Sequence, residues 1–159
     1  LQPRPDIRAR LIAGEHGHPA VVLAPPDEAH GGVPVMLTAQ DVRQLQLIKG
    51  SIMAGAQILL ERWGASWGEV DRVCIAGAFG THVRKASALT IGLLPPVDPE
   101  RITFVGNAAG IGARLALVDR HAWERAIVFS QRCEYVELGF LPEYQWAFAE
   151  AMRFPEVAA

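Results

Sequence analysis

Two short apolar runs that each end in a glycine turn constrain the fold of this chain more than any other feature of its sequence. The first run, residues 70–76, leads directly into Gly77, and the second, residues 102–105, leads into Gly106. Runs of this length that are bounded by glycine are typical of buried strands. Because helical segments lie between and after them, we expect parallel strands joined by crossover connections, which is an α/β arrangement.

The N-terminal part of the chain favours β structure. Residues 8–13 and 20–24 are apolar runs joined by a polar turn, and residues 35–37 form a third short run. We expect residues 1–37 to form a β-rich hairpin region whose strands add antiparallel edges to the α/β core of residues 38–159. The predicted fold class is therefore α/β, one lobe with a mixed sheet flanked by helices.

A long helix begins near residue 38. Thr38 and Asp41 have the spacing of a capping box, and Gly64 supplies a left-handed stop. Apolar residues recur between them at steps of three and four, which predicts one buried stripe. Its members are Val42, Leu45, Ile48, Ile52, Ala56, Leu59 and Trp63. Small residues in the same helix predict that another segment approaches its backbone closely. These are Gly50, Ser51, Ala54 and Gly55.

The C-terminal third is predicted to be largely helical. Asn107 is a suitable N-cap for a helix over residues 108–118, and a second helix is expected over residues 122–131. Residues 134–138 alternate as a strand would, and Pro142 opens a final amphipathic helix. The first of these helices carries an unusually small face, which predicts tight packing against a neighbouring backbone. Its members are Ala109, Gly112, Ala113 and Ala116.

Composition excludes several classes of protein. The formal net charge is −2 and no basic block is present, so a nucleic-acid surface is not expected. The apolar runs are too short to span a bilayer, and the chain begins at Leu1 without the apolar core of a signal peptide. We therefore expect a piece of a larger cytoplasmic protein. The two cysteines, Cys74 and Cys133, are expected to be reduced thiols, since an iron–sulfur cluster usually takes four thiolates.

The glycine turns are the positions where this sequence is most suited to chemistry. In open α/β sheets, ligands bind just beyond the carboxyl ends of strands, and a helix N-terminus after Asn107 favours an anion. The same glycines are also explained by tight turns alone, so both interpretations remain open. The phosphate-binding glycine motifs of other nucleotide proteins are absent, as is an Asp-x-Gly turn for Mg²⁺. A nucleotide bound here would therefore present its adenosine side to this chain.

The histidines and carboxylates do not predict a catalytic or metal site. His16, His18 and His30 flank the first strands, but histidines in polar turns are usually solvated. His82 follows the first glycine turn and could contact a ligand or cap the turn. No nucleophile–base pairing has the support of a motif, so we predict neither catalytic residues nor metal ligands in this chain.

Several blocks of sequence together resemble the C-terminal domain of the reductive activators of corrinoid proteins. That family belongs to the superfamily of sugar kinases, heat-shock chaperone ATPases and actin. The resemblance extends over about residues 35–154. Its blocks are 38–49 (TAQDVRQLQLIK), 73–80 (VCIAGAFG), 91–95 (IGLLP), 104–114 (FVGNAAGIGAR) and 134–138 (EYVEL).

The resemblance implies roles for individual residues. The turn after the first buried strand corresponds to the adenosine-binding turn. It comprises Gly77, Ala78, Phe79 and Gly80. The helix from Asp41 would border the adenine, with Gln44 and Lys49 as candidate contacts. The segment from Asn107 to Leu117 corresponds to the connecting helix at the hinge between two lobes, which would account for its small face.

The resemblance also implies an activity for the intact protein. ATP with Mg²⁺ would drive electron transfer from a [2Fe–2S] cluster on an N-terminal ferredoxin domain to the Co(II) corrinoid of a methyltransferase system. The ferredoxin domain and the first lobe are not in this sequence, so this chain alone is not expected to be active. The resemblance implies a homodimer. Two alternatives are a protein-docking module with a degenerate nucleotide site and a lobe of a small-molecule kinase.

Overall fold

The computed structural model describes residues 5–14, 17–77 and 82–156. The chain divides into two compact units, Leu1–Ile48 and Lys49–Ala159, which are described separately below. The expectation that residues 1–159 together form a single lobe remains a prediction.

The first unit is built on a small antiparallel sheet. A short helix, α1 (Pro5–Arg8), precedes β1 (Leu11–Ala13), β2 (Pro19–Ala24) and β3 (Val35–Thr38). Leu11 pairs with Val21 and Val21 pairs with Leu37, so β2 lies in the centre. The predicted hairpin and third strand are confirmed, although the first strand starts at Leu11 because Arg8 ends α1 and Ala9 and Arg10 form a turn.

Helix α2 (Ala39–Arg62) begins and ends where its local signals predict. The Asp41 carboxylate accepts hydrogen bonds from the Thr38 amide at 2.9 Å and the Thr38 hydroxyl at 2.7 Å, and the Asp41 amide donates back to that hydroxyl. At the other end, Gly64 has φ +74°, and the amides of Gly64 and Ala65 donate to the carbonyls of Glu61 and Leu60. This is the Schellman arrangement that a glycine stop permits.

The prediction that the apolar stripe of α2 is the buried face is wrong. Ile48 and Ile52 are each about half exposed, and Trp63 is 84% exposed. The buried positions lie on a different face. They are Lys49, Gly50, Ala54, Gly55, Ile58 and Leu60. The periodicity of a sequence identifies an apolar face of a helix. Which face is buried depends on the segments that pack against the helix, and these can lie far away in the sequence.

The close approach predicted from the small residues of α2 is confirmed. A Cβ atom added to Gly50 would lie 2.9 Å from Cγ of Met152, and one added to Gly55 would lie 3.1 Å from Cδ1 of Leu138. Both distances are shorter than ordinary van der Waals contact between carbon atoms. The glycines of α2 therefore accommodate the C-terminal part of the chain.

The second unit contains a pair of parallel strands, β4 (Val73–Ala76) and β5 (Ile102–Gly106). Their register pairs Val73 with Ile102 and Ile75 with Phe104. The connection includes α3 (Lys85–Thr90), as predicted for this partly helical stretch. The α/β class is confirmed, but the strands of the described residues form two sheets, one antiparallel and one parallel, where we expected one mixed sheet. The short connections of the first three strands favour local antiparallel pairing.

Three helices complete the second unit. They are α4 (Ala108–Val118), α5 (Arg120–Arg132) and α6 (Pro142–Ala151), all at positions predicted from the sequence. The predicted strand over residues 134–138 is wrong, because the structure gives these residues no strand partner and Leu138–Phe140 forms a short 3₁₀ helix. The alternation there instead brings Tyr135 and Glu137 together, since the Tyr135 hydroxyl donates to the Glu137 carboxylate.

Candidate functional site

Two left-handed glycines lie side by side at the carboxyl ends of β4 and β5. Gly77 has φ +89° and Gly106 has φ +63°, which are conformations that L side chains rarely adopt. The Gly77 amide donates to the Gly106 carbonyl at 2.7 Å, so the two turns are joined directly. The turns predicted from sequence are thus brought together at one edge of the parallel sheet, where ligands of α/β proteins commonly bind.

Among the described residues, none crowds either glycine. A Cβ atom added to Gly77 or Gly106 would meet no described heavy atom within 4 Å, apart from those of its chain neighbours. At these two positions the left-handed backbone conformation, and not contact with a described residue, therefore requires glycine. Both glycines are half-buried. The remaining residues of the predicted adenosine turn, Ala78, Phe79 and Gly80, lie outside the described residues.

Asn107 caps the helix that follows the second turn. Its Oδ1 accepts a hydrogen bond from the Gly110 amide at 2.9 Å, which confirms the predicted N-cap. The carboxamide folds back over Gly110 so closely that a Cβ atom there would lie 2.6 Å from Nδ2 of Asn107. Glycine at position 110 therefore makes room for the cap. The sequence did not indicate that the Asn107 cap requires glycine at position 110.

Most of the small face of α4 is exposed among the described residues. Ala109, Gly112 and Ala113 are exposed and Ala116 is half-buried, and a Cβ atom added to Gly112 would meet no described atom within 4 Å. The helix instead contacts α5, which follows it in the chain. The tight packing predicted for the small face is thus not made within the described part of the chain, and its expected hinge role remains a prediction.

Gln44 and Lys49, the candidate adenine contacts on α2, have different environments. Gln44 is exposed and belongs to the first unit, whereas Lys49 is 2% exposed and belongs to the second. The Lys49 ammonium donates to the carbonyl oxygens of Ala151 and Arg153, both at 2.5 Å. Burial lowers the pKa of Lys49 below its ordinary value. The nucleotide contacts assigned to these two residues remain predictions.

An apolar cavity of about 390 Å³ lies against β4 in the second unit, and sequence reasoning missed it. Ile52 and Met53 of α2 line one part, and Leu93 and Pro95 line another. The indole of Trp67 also borders the cavity and donates to the side-chain oxygen of Gln57 at 2.5 Å. Ile52 and Ala56, which also line the cavity, were the available signal, but we interpreted both as core.

The His, Cys, Asp and Glu side chains of the described residues do not form a metal-binding cluster. Within residues 5–14, 17–77 and 82–156, no three His, Cys, Asp or Glu side chains are placed to hold a metal ion. His16 lies outside those ranges, and His82 is exposed. Cys74 and Cys133 are both free thiols, as expected. No helix in the described part of the chain is both long and apolar enough to cross a membrane.

Comparison with known proteins gives concordant results. A family model described as the C-terminal domain of RACo, the ASKHA domain, matches residues 3–159. The corrinoid activation enzyme RamQ of Eubacterium limosum is 32% identical over 113 residues, which are 71% of this chain and 19% of RamQ. A solved structure of a reductive activator for corrinoid, iron–sulfur protein aligns with a TM-score of 0.82 at 32% identity.

The structural match covers 93% of this chain and 23% of the solved one, so the chain spans about a fifth of the length of these relatives. The family predicted from the sequence blocks and the ASKHA-like α/β fold are both confirmed by these matches. Because the family model matches almost the whole length, this chain belongs to the family of RACo C-terminal domains.

Proposed function

We propose that this chain is the adenosine-binding lobe of an ATP-dependent reductive activator that acts on a corrinoid protein. Membership of the RACo C-terminal family supports the assignment at the level of the domain. The observation that carries it is the junction of two left-handed glycines, Gly77 and Gly106, at the carboxyl edge of the parallel strands, where no described residue crowds either one. Glycine in a turn lets the flat surface of an adenosine approach the backbone.

The described residues fit one side of a nucleotide. Gly77 and Gly106 provide backbone for adenosine, and the capped N-terminus of α4 lies directly after Gly106 with its positive dipole end. Clustered carboxylates that would bind Mg²⁺ are not found among the described residues, so the phosphate-binding groups would come from the preceding lobe of the intact protein. ATP would supply the free energy for an otherwise uphill reduction of Co(II) to Co(I).

The residues of this chain do not fit an iron–sulfur cluster. Cys74 and Cys133 are its two cysteines, fewer than the four ligands that such a cluster usually needs. The [2Fe–2S] cluster would therefore belong to another domain of the intact protein, as would the surface that delivers the electron. This lobe would contribute by favouring one of two lobe arrangements when nucleotide is bound.

The assignment is tested by comparing two glycine substitutions in the intact protein. Gly77→Ala and Gly64→Ala both place a side chain at a left-handed position with open space around it. Each should cost about 1–2 kcal/mol of local backbone strain. We expect Gly77→Ala to weaken ATP binding at least about tenfold, while Gly64→Ala leaves it unchanged. Isothermal titration calorimetry with MgATP measures both affinities, and equal affinities in the two variants would remove the adenosine assignment.

A docking module is the second candidate, favoured by the exposed apolar side chains of α4 and α5. Leu117 is 85% exposed, Val118 is 80% exposed and Phe129 is 70% exposed. Exposed apolar surface of this kind marks contact with another protein or domain. This alternative predicts that the intact protein captures its corrinoid partner without ATP and has no measurable ATPase activity. ATP hydrolysis by the intact protein would exclude it in favour of the nucleotide-binding assignment.

A further inference from the structure

Lys49 is the one buried charged residue among those that the structure describes. Its side chain is 2% exposed, comparable to the core residue Ile102. An ammonium group removed from water is costly unless hydrogen bonds replace its hydration. The partners that meet this need are two backbone carbonyls, those of Ala151 and Arg153, and not carboxylates.

The carbonyl partners of Lys49 lie where a cation is most favourable. Ala151 is the last residue of α6, and the final carbonyls of a helix have no partners within it and carry the negative end of its dipole. The Lys49 ammonium also lies 5.3 Å from the centroid of the Phe154 ring, within the range of a cation–π interaction. Helix α2 therefore provides the C-terminal cap of α6 from a position about a hundred residues earlier.

Two glycines leave room for the segment that Lys49 holds. At Gly50 a Cβ atom would lie 2.9 Å from Cγ of Met152 and 3.3 Å from its backbone nitrogen. At Gly92, where φ is +70°, a Cβ atom would lie 3.0 Å from Cγ of Pro155 and 3.4 Å from Nζ of Lys49. Residues 152–156, which we name the C-terminal strap, thus lie against α2 on one side and the Gly92 turn on the other.

We infer that Lys49 is a clamp that fastens the C-terminal strap to α2 and to the Gly92 turn, in place of the adenine contact that the resemblance implied for its ammonium. The two carbonyls accept hydrogen bonds from the ammonium, the Phe154 ring lies 5.3 Å from it, and a Cβ atom at Gly92 would lie 3.4 Å from it. A nucleotide could reach it only after the strap had left. The clamp makes the strap part of the folded unit, and loss of the ammonium releases it. The inference is independent of whether the lobe binds ATP.

Lysine labelling of the intact wild-type protein tests the clamp without a mutation. Lys49 and Lys85 are the two lysines of this chain, so each can be followed in its own peptide by mass spectrometry. Reductive methylation with formaldehyde should modify half-buried Lys85 quickly and Lys49 at least about tenfold more slowly, with or without MgATP. Labelling of Lys49 as fast as that of Lys85 would overturn the clamp. Protection of Lys49 by MgATP while Lys85 is unaffected would also overturn it.

A pair of substitutions in the intact protein gives the second readout. Lys49→Met keeps the length of the side chain but removes its hydrogen bonds, and Leu59→Met is a control at a half-exposed position of the same helix. Loss of charge-assisted hydrogen bonds of this kind should raise the equilibrium constant for local opening of the strap by about tenfold or more. Hydrogen–deuterium exchange should therefore rise by about that factor in the strap for Lys49→Met alone, with ATP affinity unchanged. Weaker ATP binding with unchanged exchange of the strap would contradict the inference. If Lys49→Met does not fold, the labelling of the wild type decides.

Discussion

At the scale of single residues, Gly110 shows how the absence of one methyl group permits a helix cap. The Asn107 carboxamide lies within 3.0 Å of the position that a Cβ atom at residue 110 would occupy. Its Oδ1 also accepts the hydrogen bond that caps α4. Gly112, one half-turn further along the same helix, has open space at the equivalent position. The two glycines therefore form a matched pair for substitution.

We expect Gly112→Ala to stabilise the 159-residue chain and Gly110→Ala to destabilise it. Alanine in a helix gains about 0.5–1 kcal/mol over glycine, but at position 110 that gain is offset by loss of a cap worth about 1 kcal/mol and by the clash itself. Urea denaturation measures both free energies of unfolding. In an Asn107→Gly background the clash is absent, so Gly110→Ala should become stabilising. Equal effects of the two alanines in the wild-type background would show that the cap is not made.

At the scale of elements, the capping box of α2 predicts a dependence of stability on acid. The hydrogen bonds from the Thr38 hydroxyl and amide lower the pKa of Asp41 below its ordinary value of 3.8. Because the folded-state pKa is the lower one, the unfolded chain takes up the proton first as the pH falls. The stabilisation by this carboxylate is therefore complete above about pH 3.8 and is lost as the pH falls through the folded-state pKa.

Asp41→Asn isolates this contribution. The variant should be less stable than the wild type at neutral pH, and the difference should shrink below about pH 3.8, where the wild-type carboxylate becomes protonated. Urea denaturation monitored by circular dichroism from pH 7 to pH 2.5 would measure the two profiles. Parallel profiles over the whole range would mean that Asp41 does not cap α2 in solution.

The elements also show which parts of the structure are predictable from local sequence. Local signals near each helix end predict the cap of α2 at Thr38, its stop at Gly64 and the cap of α4 at Asn107. Where burial was predicted wrongly, it is determined by contacts with residues that are distant in the sequence. Trp63 is exposed because α6 and Leu138 approach the other, glycine-containing face of α2, and nothing near Trp63 encodes that choice.

The candidate site shows the same division between local and distant information. The left-handed turns at Gly77 and Gly106 were predictable because glycine after an apolar run is a local signal. The burial of Lys49 was not, since its partners Ala151 and Arg153 lie about a hundred residues away. Lysine is rarely buried, and the adenine contact at this position was implied only by the family resemblance. The adenosine role of Gly77 came from the resemblance and remains a proposal.

At the scale of the whole molecule, this chain spans about a fifth of the length of the relatives that it matches, and the proposed activity is one of an intact activator. The central claim is that nucleotide bound at the Gly77 turn controls reduction of a corrinoid cobalt elsewhere. The claim therefore requires that a change in this small lobe alters a reaction whose redox centres lie on other domains and on a partner protein.

The most direct test is the rate of Co(I) formation in a corrinoid protein mixed with the reduced intact activator. The visible absorption of the corrinoid is followed with and without MgATP, for the wild type, Gly64→Ala and Gly77→Ala. We expect ATP to accelerate the reaction in the wild type and in Gly64→Ala, and to have little effect in Gly77→Ala. ATP stimulation that survives unchanged in a folded Gly77→Ala protein would contradict the account.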